Sequence, residues 1–542
     1  MTRLVLPTLL SALFLTLGPS IAANAAAPKM DILFPAGGSR GATVNVTVTG
    51  AVDPWPVQVW CSRTELQIKV LEEKGKLAIT IPAESLPGVA WIRLHNPEGA
   101  STLRPFVIGT LPEAEEVEPN NDLTKAQVLP SSSVVVQGKH QAAHDVDVYA
   151  ITLKAGQTIV ADLDGNRTLG APSDGVLQLV SSQGFVLEQN DDDQGLDPRI
   201  AFTVPADGQY YVRTFAFPAQ TDSSVNFAGG PSWLYRLTIT ADRFTDFVLP
   251  LAVTRGVAGE VEARGWNLGA EPVKTAIPAS DTDEITVLVP QSGNVVTVPT
   301  VPFAVLVEQE PNVQAQPNVI PMPVDVSGVV SAPDDADFFR FPAKKGQTLL
   351  VKVVARSQGS LIDPVVAILD AAGKQLQRVD DQGDKRDPEF NWNPPADGDY
   401  LLTVSDLHGR GGPRFYYHAS IAPHTPDYRV TVAADSFVLS IDKPLEIPIT
   451  VERLSGFKGE IDVNVTGLPD GVTAAAVKSL AEGDTSKLVK LVISGNPAAF
   501  SGPLQIIATS IAEPKLIRKP TFKLTPYHAD TDQLWLTVIK KP

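Results

Sequence analysis

The residues of this chain that are most clearly suited to bind a ligand are acidic side chains that recur beside prolines and asparagines. The pattern Glu-x-Glu-Pro-Asn occurs at residues 116–120 and 308–312, and Asp-x-Asp precedes an aromatic residue at 145–149 and 335–339. Hard cations such as Ca²⁺ take six to eight oxygen ligands, which carboxylates and asparagine carbonyls supply. Where a linker and a strand bring such segments together, cation binding is the expected chemistry. The alternative is a solvated acidic surface with proline-containing turns.

Two other patterns would indicate catalysis or zinc binding, and neither is supported by its surroundings. Residues 37–41 match G-x-S-x-G, but a nucleophilic Ser39 needs a strand-to-helix turn, and residues 43–49 alternate as a strand. His140 and His144 lie four residues apart in a segment that resembles a loop entering a strand, without zinc-site spacing. We therefore predict no catalytic residues and no enzyme activity.

The acidic segments belong to an internal duplication. Five short segments recur in the same order, each pair separated by 188 to 192 residues: 118–120 with 310–312, 145–149 with 335–339, 156–158 with 346–348, 192–195 with 380–383, and 205–210 with 395–400. A shared order with so little drift indicates a duplicated domain of about 120 residues, because solenoid repeats are only ~20–50 residues long.

Composition favours short strands throughout. Apolar residues make up 43% of the 542 residues and charged residues 19%, which excludes wholesale disorder. Forty-six prolines and 40 glycines are spread along the whole chain, as is typical of strands joined by turns. We predict an all-β protein, built as a tandem array of antiparallel β-sandwich domains. The predicted domains are 26–110, 111–243, 244–307, 308–433 and 434–542.

Residues 1–25 are predicted to be a secretory signal peptide. Arg3 precedes an apolar stretch over residues 4–17, and Ala23-Asn24-Ala25 forms a small-residue cleavage site. A retained anchor is the alternative, but the apolar run is shorter than the ~20 residues that a membrane span needs. The chain is expected to be exported, to the periplasm, the cell surface or the medium, with no membrane span after cleavage.

Cysteine content and charge narrow the chemistry further. Cys61 is the single cysteine, so no intramolecular disulfide is possible, and its alternation with Val57 and Val59 predicts a buried core thiol. Lys and Arg number 44 against 61 Asp and Glu, a net charge of −17, which disfavours nucleic acid as a partner. The expected partner is an extracellular or cell-envelope protein or polysaccharide.

The duplicated domain, 111–243 and 308–433, resembles the bacterial pre-peptidase C-terminal domain, a β-sandwich of secreted bacterial proteins related to collagenase collagen-binding domains. The resemblance rests on Glu-x-Glu-Pro-Asn, the Asp-x-Asp before an aromatic, and the later Pro-Ala-Asp-Gly-x-Tyr. Domains 26–110 and 244–307 resemble the IPT/TIG immunoglobulin-like fold, on Pro35-x-Gly37-Gly38 with Gly41-x-Thr43-Val44 in the first and Gly265-Trp266-Asn267-Leu268 in the second. Domain 434–542 is similar to immunoglobulin-like sandwiches in general.

The resemblance also implies a calcium ion shared between the linker and the strand of each copy. In the first copy the matching residues are Glu116, Glu118, Asn120, Asn121 and Asp147, with His144 where the family pattern has Asp. In the second copy they are Glu308, Glu310, Asn312, Asp334 and Asp337, with Val313 replacing the last linker ligand. The second copy keeps both strand aspartates, so we expect it to bind calcium more tightly.

Taken together, the residues and the resemblance predict a non-catalytic secreted or envelope-associated protein. Its tandem sandwich modules would adhere to, or organise, extracellular polymer or protein. An exported hydrolase, or an accessory subunit of a secreted enzyme with an unrecognised catalytic site, remains the alternative.

Overall fold

The computed structural model describes residues 26–220, 226–383, 385–440, 443–496, 499–513 and 515–539. The predicted signal peptide at 1–25 lies outside them. The described residues fold into strands and two short 3-10 helices, and no helix among them is long and apolar enough to span a membrane. The prediction of an all-β sandwich array is confirmed.

The first unit is a sandwich of two sheets, ordered β1-β3-β6-β5 and β2-β9-β7-β4, with β8 pairing to β7. Its strands are β1 Ile32–Phe34, β2 Gly37–Ser39, β3 Thr43–Thr49, β4 Gln58–Cys61, β5 Gln67–Val70, β6 Lys76–Thr80, β7 Gly88–Asn96, β8 Gly99–Ala100 and β9 Arg104–Gly109. Alternation along β3 buries Val46 and Val48 in the core, because successive side chains of a strand point to opposite faces.

The second unit contains the first copy of the duplication. Its strands are β10 Glu113–Glu115, β11 Gln127–Val128, β12 Ser133–Lys139, β13 Asp147–Leu153, β14 Thr158–Asp164, β15 Ser173–Val180, β16 Val186–Asn190, β17 Arg199–Thr203, β18 Gly208–Pro218 and β19 Leu234–Thr240. They form sheets of order β10-β12-β19-β14-β17 and β11-β13-β18-β15-β16, which enclose one apolar core.

The third unit is smaller, with three strands in each sheet, ordered β20-β22-β23 and β21-β25-β24. Its strands are β20 Phe244–Leu249, β21 Val253–Thr254, β22 Gly259–Trp266, β23 Lys274–Ile277, β24 Glu284–Val287 and β25 Val296–Val301.

The fourth unit repeats the second strand for strand, with sheets β26-β28-β35-β30-β33 and β27-β29-β34-β31-β32. Its elements are β26 Ala304–Val307, β27 Asn318–Val319, β28 Val324–Val329, β29 Ala336–Ala343, β30 Leu349–Val354, a 3-10 helix at Arg356–Gln358, β31 Pro364–Asp370, β32 Gln375–Val379, β33 Glu389–Trp392, β34 Gly398–Asp406 and β35 Tyr416–Pro423. The matching sheet orders are what the five recurring sequence segments require.

The fifth unit pairs sheets of order β36-β38-β42-β40 and β37-β47-β43-β39-β41, with β44 on β43 and a separate β45-β46 pair. Its elements are β36 Asp427–Val432, β37 Ser436–Ser440, β38 Leu445–Leu454, β39 Ile461–Thr466, β40 Val472–Ala474, β41 Val477–Ser479, β42 Leu488–Gly495, β43 Phe500–Ser510, β44 Ile517–Arg518, β45 Phe522–Leu524, a 3-10 helix at Thr525–Tyr527, β46 Ala529–Thr531 and β47 Leu534–Ile539.

Strands near the start of each unit depart from the antiparallel pattern. β10 pairs parallel with β12, and β26 pairs parallel with β28. In the fourth unit β26 begins four residues before the predicted domain start at residue 308. In the fifth unit β36 begins seven residues before the predicted start at residue 434.

Cys61 lies at the margin of the first core. The thiol packs against that core beside Val59, as the alternation predicts, but it is half-buried rather than buried. The physical reason is that β4 is the edge strand of its sheet, where neighbours cover only one side. Burial nevertheless raises the pKa of the thiol to about 11.

The chain folds back on itself, so that its first and fifth units touch. Arg93 of β7 donates to the Asp435 carboxylate at 2.6 Å and to the Asp435 and Gln533 carbonyl oxygens at 3.2 and 3.3 Å. The guanidinium lies 5.5 Å from the ring centroid of Trp535, and the Arg93 side chain is fully buried. An ion pair buried in this way holds residues 342 positions apart in one geometry.

Native Cys61 should react slowly with iodoacetamide at pH 8. A shift of the thiol pKa from 9.0 to about 11 leaves roughly a hundredfold less thiolate, which is the reactive form. Mass spectrometry of the alkylated protein over time, with the urea-unfolded chain as control, measures the two rates. Equal rates for native and unfolded protein would show that the native thiol is not desolvated.

Replacing Arg93 by Ala should lower the stability of the contact between the first and fifth units by ~3–5 kcal/mol, because Asp435 is left buried and unpaired. Calorimetry of the full chain should show an early transition. The matched control is Lys74→Ala, which breaks the pair with Asp53 whose side chains are 54% and 73% exposed. That change should cost less than ~1 kcal/mol. Identical melting of Arg93→Ala and wild type would contradict the closed arrangement.

Candidate functional site

Both copies of the duplication bring an acidic linker against the start of a strand. In the second unit Glu116 and Glu118 follow β10, and Asp147 opens β13. In the fourth unit Glu308 and Glu310 follow β26, and Asp337 is the second residue of β29. In each copy one oxygen from each of the three carboxylates lies within 4.8 Å of the other two. The predicted convergence of linker and strand is present in both units.

The same hydrogen bonds position the linker in the second copy as in the first. Glu308 accepts from the Val329 N–H at 2.6 Å, as Glu116 accepts from the Lys139 N–H at 2.9 Å. Glu310 accepts from the Asn312 N–H at 3.0 Å, and the Glu118–Asn120 contact is 2.8 Å.

The backbone carbonyl of the asparagine then joins the linker to the strand. Asn312 accepts from the Phe338 N–H at 2.8 Å, and Asn120 accepts from the Val148 N–H at 3.1 Å. Tyrosines on the last strand of each unit complete the frame, with Tyr417 donating to Asp337 at 2.6 Å and Tyr235 to Asp147 at 2.7 Å.

Several oxygens of these clusters are buried without a hydrogen-bond partner among the described residues. In the fourth unit they are Asn312 Oδ1 and Asp337 Oδ1, on side chains with no exposed area, and in the second unit Glu116 Oε1. A buried acceptor left unpaired costs about 1–3 kcal/mol, so native proteins rarely keep one without a function. These atoms are oxygens, which are the ligands that Ca²⁺ prefers.

The clusters are also electrostatically unfavourable without a cation. Burial is the main cause that raises the pKa values of Glu308 and Asp337, and repulsion from Asp337 raises that of Glu308 further. In the second unit burial raises the pKa values of Glu116 and Asp147, and the Glu116 charge adds to the effect on Asp147. Carboxylates that repel one another in a buried site are the arrangement that a divalent cation stabilises.

Other residues of the implied ligand set lie apart from these trios. Asn121 is exposed and donates to Asp145 at 2.9 Å. Asp334 is exposed, has φ +60°, and its N–H donates to the Gly409 carbonyl at 3.1 Å. His144, at the matching position of the first copy, is exposed with φ +68°. Both positions serve a left-handed turn before the strand, and neither belongs to the trio of carboxylates.

Ser39 of the G-x-S-x-G pattern and the pair His140 and His144 lie in surroundings that, among the described residues, do not form a catalytic or zinc site. Ser39 ends the short strand β2, which pairs with β9 and is followed by β3 rather than by a helix. His140 is buried beside Tyr235, with ring centroids 4.8 Å apart, while His144 is exposed. Burial lowers the pKa of His140 to about 3, so its ring is neutral.

A second charged cluster, at the junction of the second, third and fourth units, was missed by sequence reasoning. Arg414 donates to both oxygens of Asp193 at 2.7 and 2.9 Å and to Asp246 at 2.7 Å. Arg199 donates to Asp246 and to Asp162, both at 2.7 Å. Asp193 lies in the acidic loop at residues 190–195. No local pattern indicates pairing between residues up to 221 positions apart.

Comparisons with known proteins agree with this architecture. Residues 145–216 match the family described as "Bacterial pre-peptidase C-terminal domain". A probable subtilase-type serine protease of Deinococcus radiodurans is 32% identical over 142 residues, which are 26% of this chain and 18% of the protease. This chain therefore matches less than a fifth of the length of that relative.

The comparison with solved structures returned a pre-peptidase C-terminal domain and an insect immune protein, among others. The pre-peptidase C-terminal domain of a Bacillus anthracis collagenase is 18% identical, with a TM-score of 0.16, and the match covers 19% of this chain and 92% of that domain. The insect immune protein hemolin is 10% identical, with a TM-score of 0.22, and the match covers 95% of this chain and all of hemolin. The chain is an all-β array of sandwich units in which residues 145–216 match the model of the bacterial pre-peptidase C-terminal domain.

Proposed function

We propose that this protein is an exported, non-catalytic binding protein whose two pre-peptidase-like units are each stabilised by a calcium ion. The observation that carries the calcium proposal is the pair of buried oxygens on Asn312 and Asp337 that have no partner among the described residues. Glu308 and Glu310 supply two further carboxylates within 4.8 Å of Asp337. In the second unit Glu116, Glu118, Asn120 and Asp147 occupy the same places.

The ion would act by tying the linker to the sandwich. Glu308 and Glu310 directly follow β26, the strand that joins the third unit to the sheet of the fourth. A cation held between the linker and β29 would neutralise the repulsion that disfavours three ionised carboxylates. Calcium would therefore fix the position of one unit relative to the next as well as stabilise the fold.

A role in binding is supported by the architecture rather than by a reaction centre. The matched family model covers a sandwich module, and the protein around it consists of further sandwich units. The predicted signal peptide and the absence of a possible intramolecular disulfide in a chain with one cysteine fit an exported protein stabilised by cores and ions. The proposed partner is an extracellular or envelope protein or polysaccharide, and an array of glycans and matrix proteins probed with the purified chain tests this.

An accessory role beside an exported enzyme is the second candidate. The observation that favours it is the 142-residue match to a probable subtilase-type serine protease. In that case the purified chain should bind a partner protease from the same organism and change its rate on a polymeric substrate but not on a short peptide. No effect on either substrate would leave the binding role alone.

Calcium should raise the melting temperature of the full chain, because an ion that binds only the folded state adds RT ln(1 + [L]/Kd), about 2.7 kcal/mol at a hundredfold excess over Kd. Calorimetry with calcium and with chelator measures the difference. Asp337→Asn should abolish the response of the fourth unit and Asp147→Asn that of the second.

The matched control for these variants is Asp334→Asn, which changes an exposed aspartate three residues before Asp337 that lies outside the trio. Its response to calcium should equal that of wild type. An equal melting temperature of the wild type with calcium and with chelator would overturn the calcium proposal. Loss of the response in Asp334→Asn would instead place the ion outside the buried trio.

A further inference from the structure

A cavity lies where four of the five units meet, away from the carboxylate trios. It has a volume of about 730 Å³ and is lined by residues of the first, second, third and fourth units. Small-molecule sites are typically concave spaces of ~300–1,000 Å³, often at domain interfaces. The cavity falls within that range of size and lies at such an interface.

The floor of the cavity is the outer face of a sheet in the second unit. Thr238 of β19 lies between Val135 of β12 and Asp162 of β14, and Arg199 of β17 continues the row. Val134 and Val136 alternate with these residues and point into the core. The sheet therefore presents a row of mostly polar side chains to the cavity.

The walls come from the other units. Arg63 and Trp91 belong to the first unit, Glu284 and Thr286 to the third, and Gln358 to the fourth. Trp91 and Thr238 are half-buried and Glu284 is exposed, so the cavity is accessible from solvent. An indole beside polar side chains offers an apolar face together with hydrogen-bonding groups.

The charges that line the cavity balance. Four arginines and four acidic residues contribute: Arg63, Arg167, Arg199, Arg236, Asp162, Asp164, Asp246 and Glu284. Arg199 is already paired with Asp162 and Asp246, and Arg236 donates to Glu113 at 2.7 Å. An anion approaching Arg167 would meet Asp162 and Asp164, and a cation would meet Arg167 itself. The lining therefore favours a ligand without net charge.

Hydrogen-bonding capacity remains free on both sides of the cavity. Arg167 donates to Gln194 at 3.3 Å, while its nearest carboxylates lie 3.8 to 4.0 Å away, too far for hydrogen bonds. On the fourth unit, Gln358 Oε1 is buried without a partner among the described residues. A hydroxyl group can accept a hydrogen bond from Arg167 and donate one to Gln358 Oε1.

We propose that this cavity binds a short neutral oligosaccharide, or the neutral end of a polysaccharide chain. Sugar hydroxyls would form hydrogen bonds with Arg167, Gln358 and Thr238, and a sugar ring would pack on Trp91. This proposal rests on the proposed binding function and names its ligand class and its site.

Isothermal titration of the full chain with neutral tetrasaccharides tests the proposal, using cellotetraose, maltotetraose and the tetramer of N-acetylglucosamine. Galacturonate and glucosamine tetramers are the anionic and cationic comparators. At least one neutral probe should bind saturably at one site per chain, and the charged probes at least tenfold more weakly. Absence of binding by every neutral probe at millimolar concentration, or tighter binding of a charged one, overturns the proposal.

Two variants locate the site. Thr238→Phe places an aromatic ring on the floor and should weaken binding at least tenfold, and Gln358→Leu should weaken it without filling the cavity. Ser420→Phe is the matched control, because Ser420 holds the equivalent place on β35 and does not line the cavity. An equal loss in Ser420→Phe, or no loss in either cavity variant, excludes this site. If the chain still binds polymer while the tetrasaccharides fail, the cavity proposal alone is wrong; if it binds nothing, the proposed binding function is wrong as well.

Discussion

The arrangement of the units depends on one buried junction of charges. Arg414 of the fourth unit donates hydrogen bonds to Asp193 of the second unit and Asp246 of the third. Arg199 of the second unit donates to the same Asp246. The side chains of Asp193 and Asp246 are 5% and 2% exposed, and the arginines supply the opposite charge that compensates the cost of burying them. Because bidentate pairing fixes orientation as well as distance, the junction sets the geometry of three sandwiches at once. The polar cavity is the space that this geometry leaves between them.

The junction and the carboxylate trios both place carboxylates in buried positions, where an unpaired negative charge is unfavourable. Burial opposes the ionisation of Asp193, yet the hydrogen bond and charge of Arg414 hold its pKa below the ordinary value. Asp337 is buried to a similar degree, but Tyr417 and Asn312 surround it instead of an arginine, and its pKa is raised. The protein provides its own cation at the junction, whereas the trio provides only oxygens. The proposed calcium ion follows from that contrast.

Sequence reasoning predicted the parts of this molecule that local patterns encode. Turns such as Pro-Ala-Asp-Gly and alternation along β3 indicate sandwiches, and the recurring segments predict two units of the same strand order. Glu308, Glu310 and Asp337 were expected together, because the resemblance relates a linker to a strand. Asp334 was expected with them, but its left-handed backbone places it in the preceding turn.

Contacts between units could not be predicted in the same way. Arg93 and Asp435 are separated by 342 residues, and each looks like an ordinary surface charge beside a strand. Cys61 was expected inside a core because alternation identifies a face but not whether the strand lies at a sheet edge. Periodicity in the sequence does not show how the units lie relative to one another. It therefore cannot predict pairings between distant units or the cavity between them.

Small-angle X-ray scattering of the full chain in solution tests the central claim, that buried charge pairs hold the units in one closed arrangement. Buried pairs are screened by salt far less than exposed ones. The account predicts a single curve that matches the closed arrangement and stays unchanged between about 0.05 and 0.5 M salt. A curve of an extended string of units, or one that lengthens as salt is added, would contradict it.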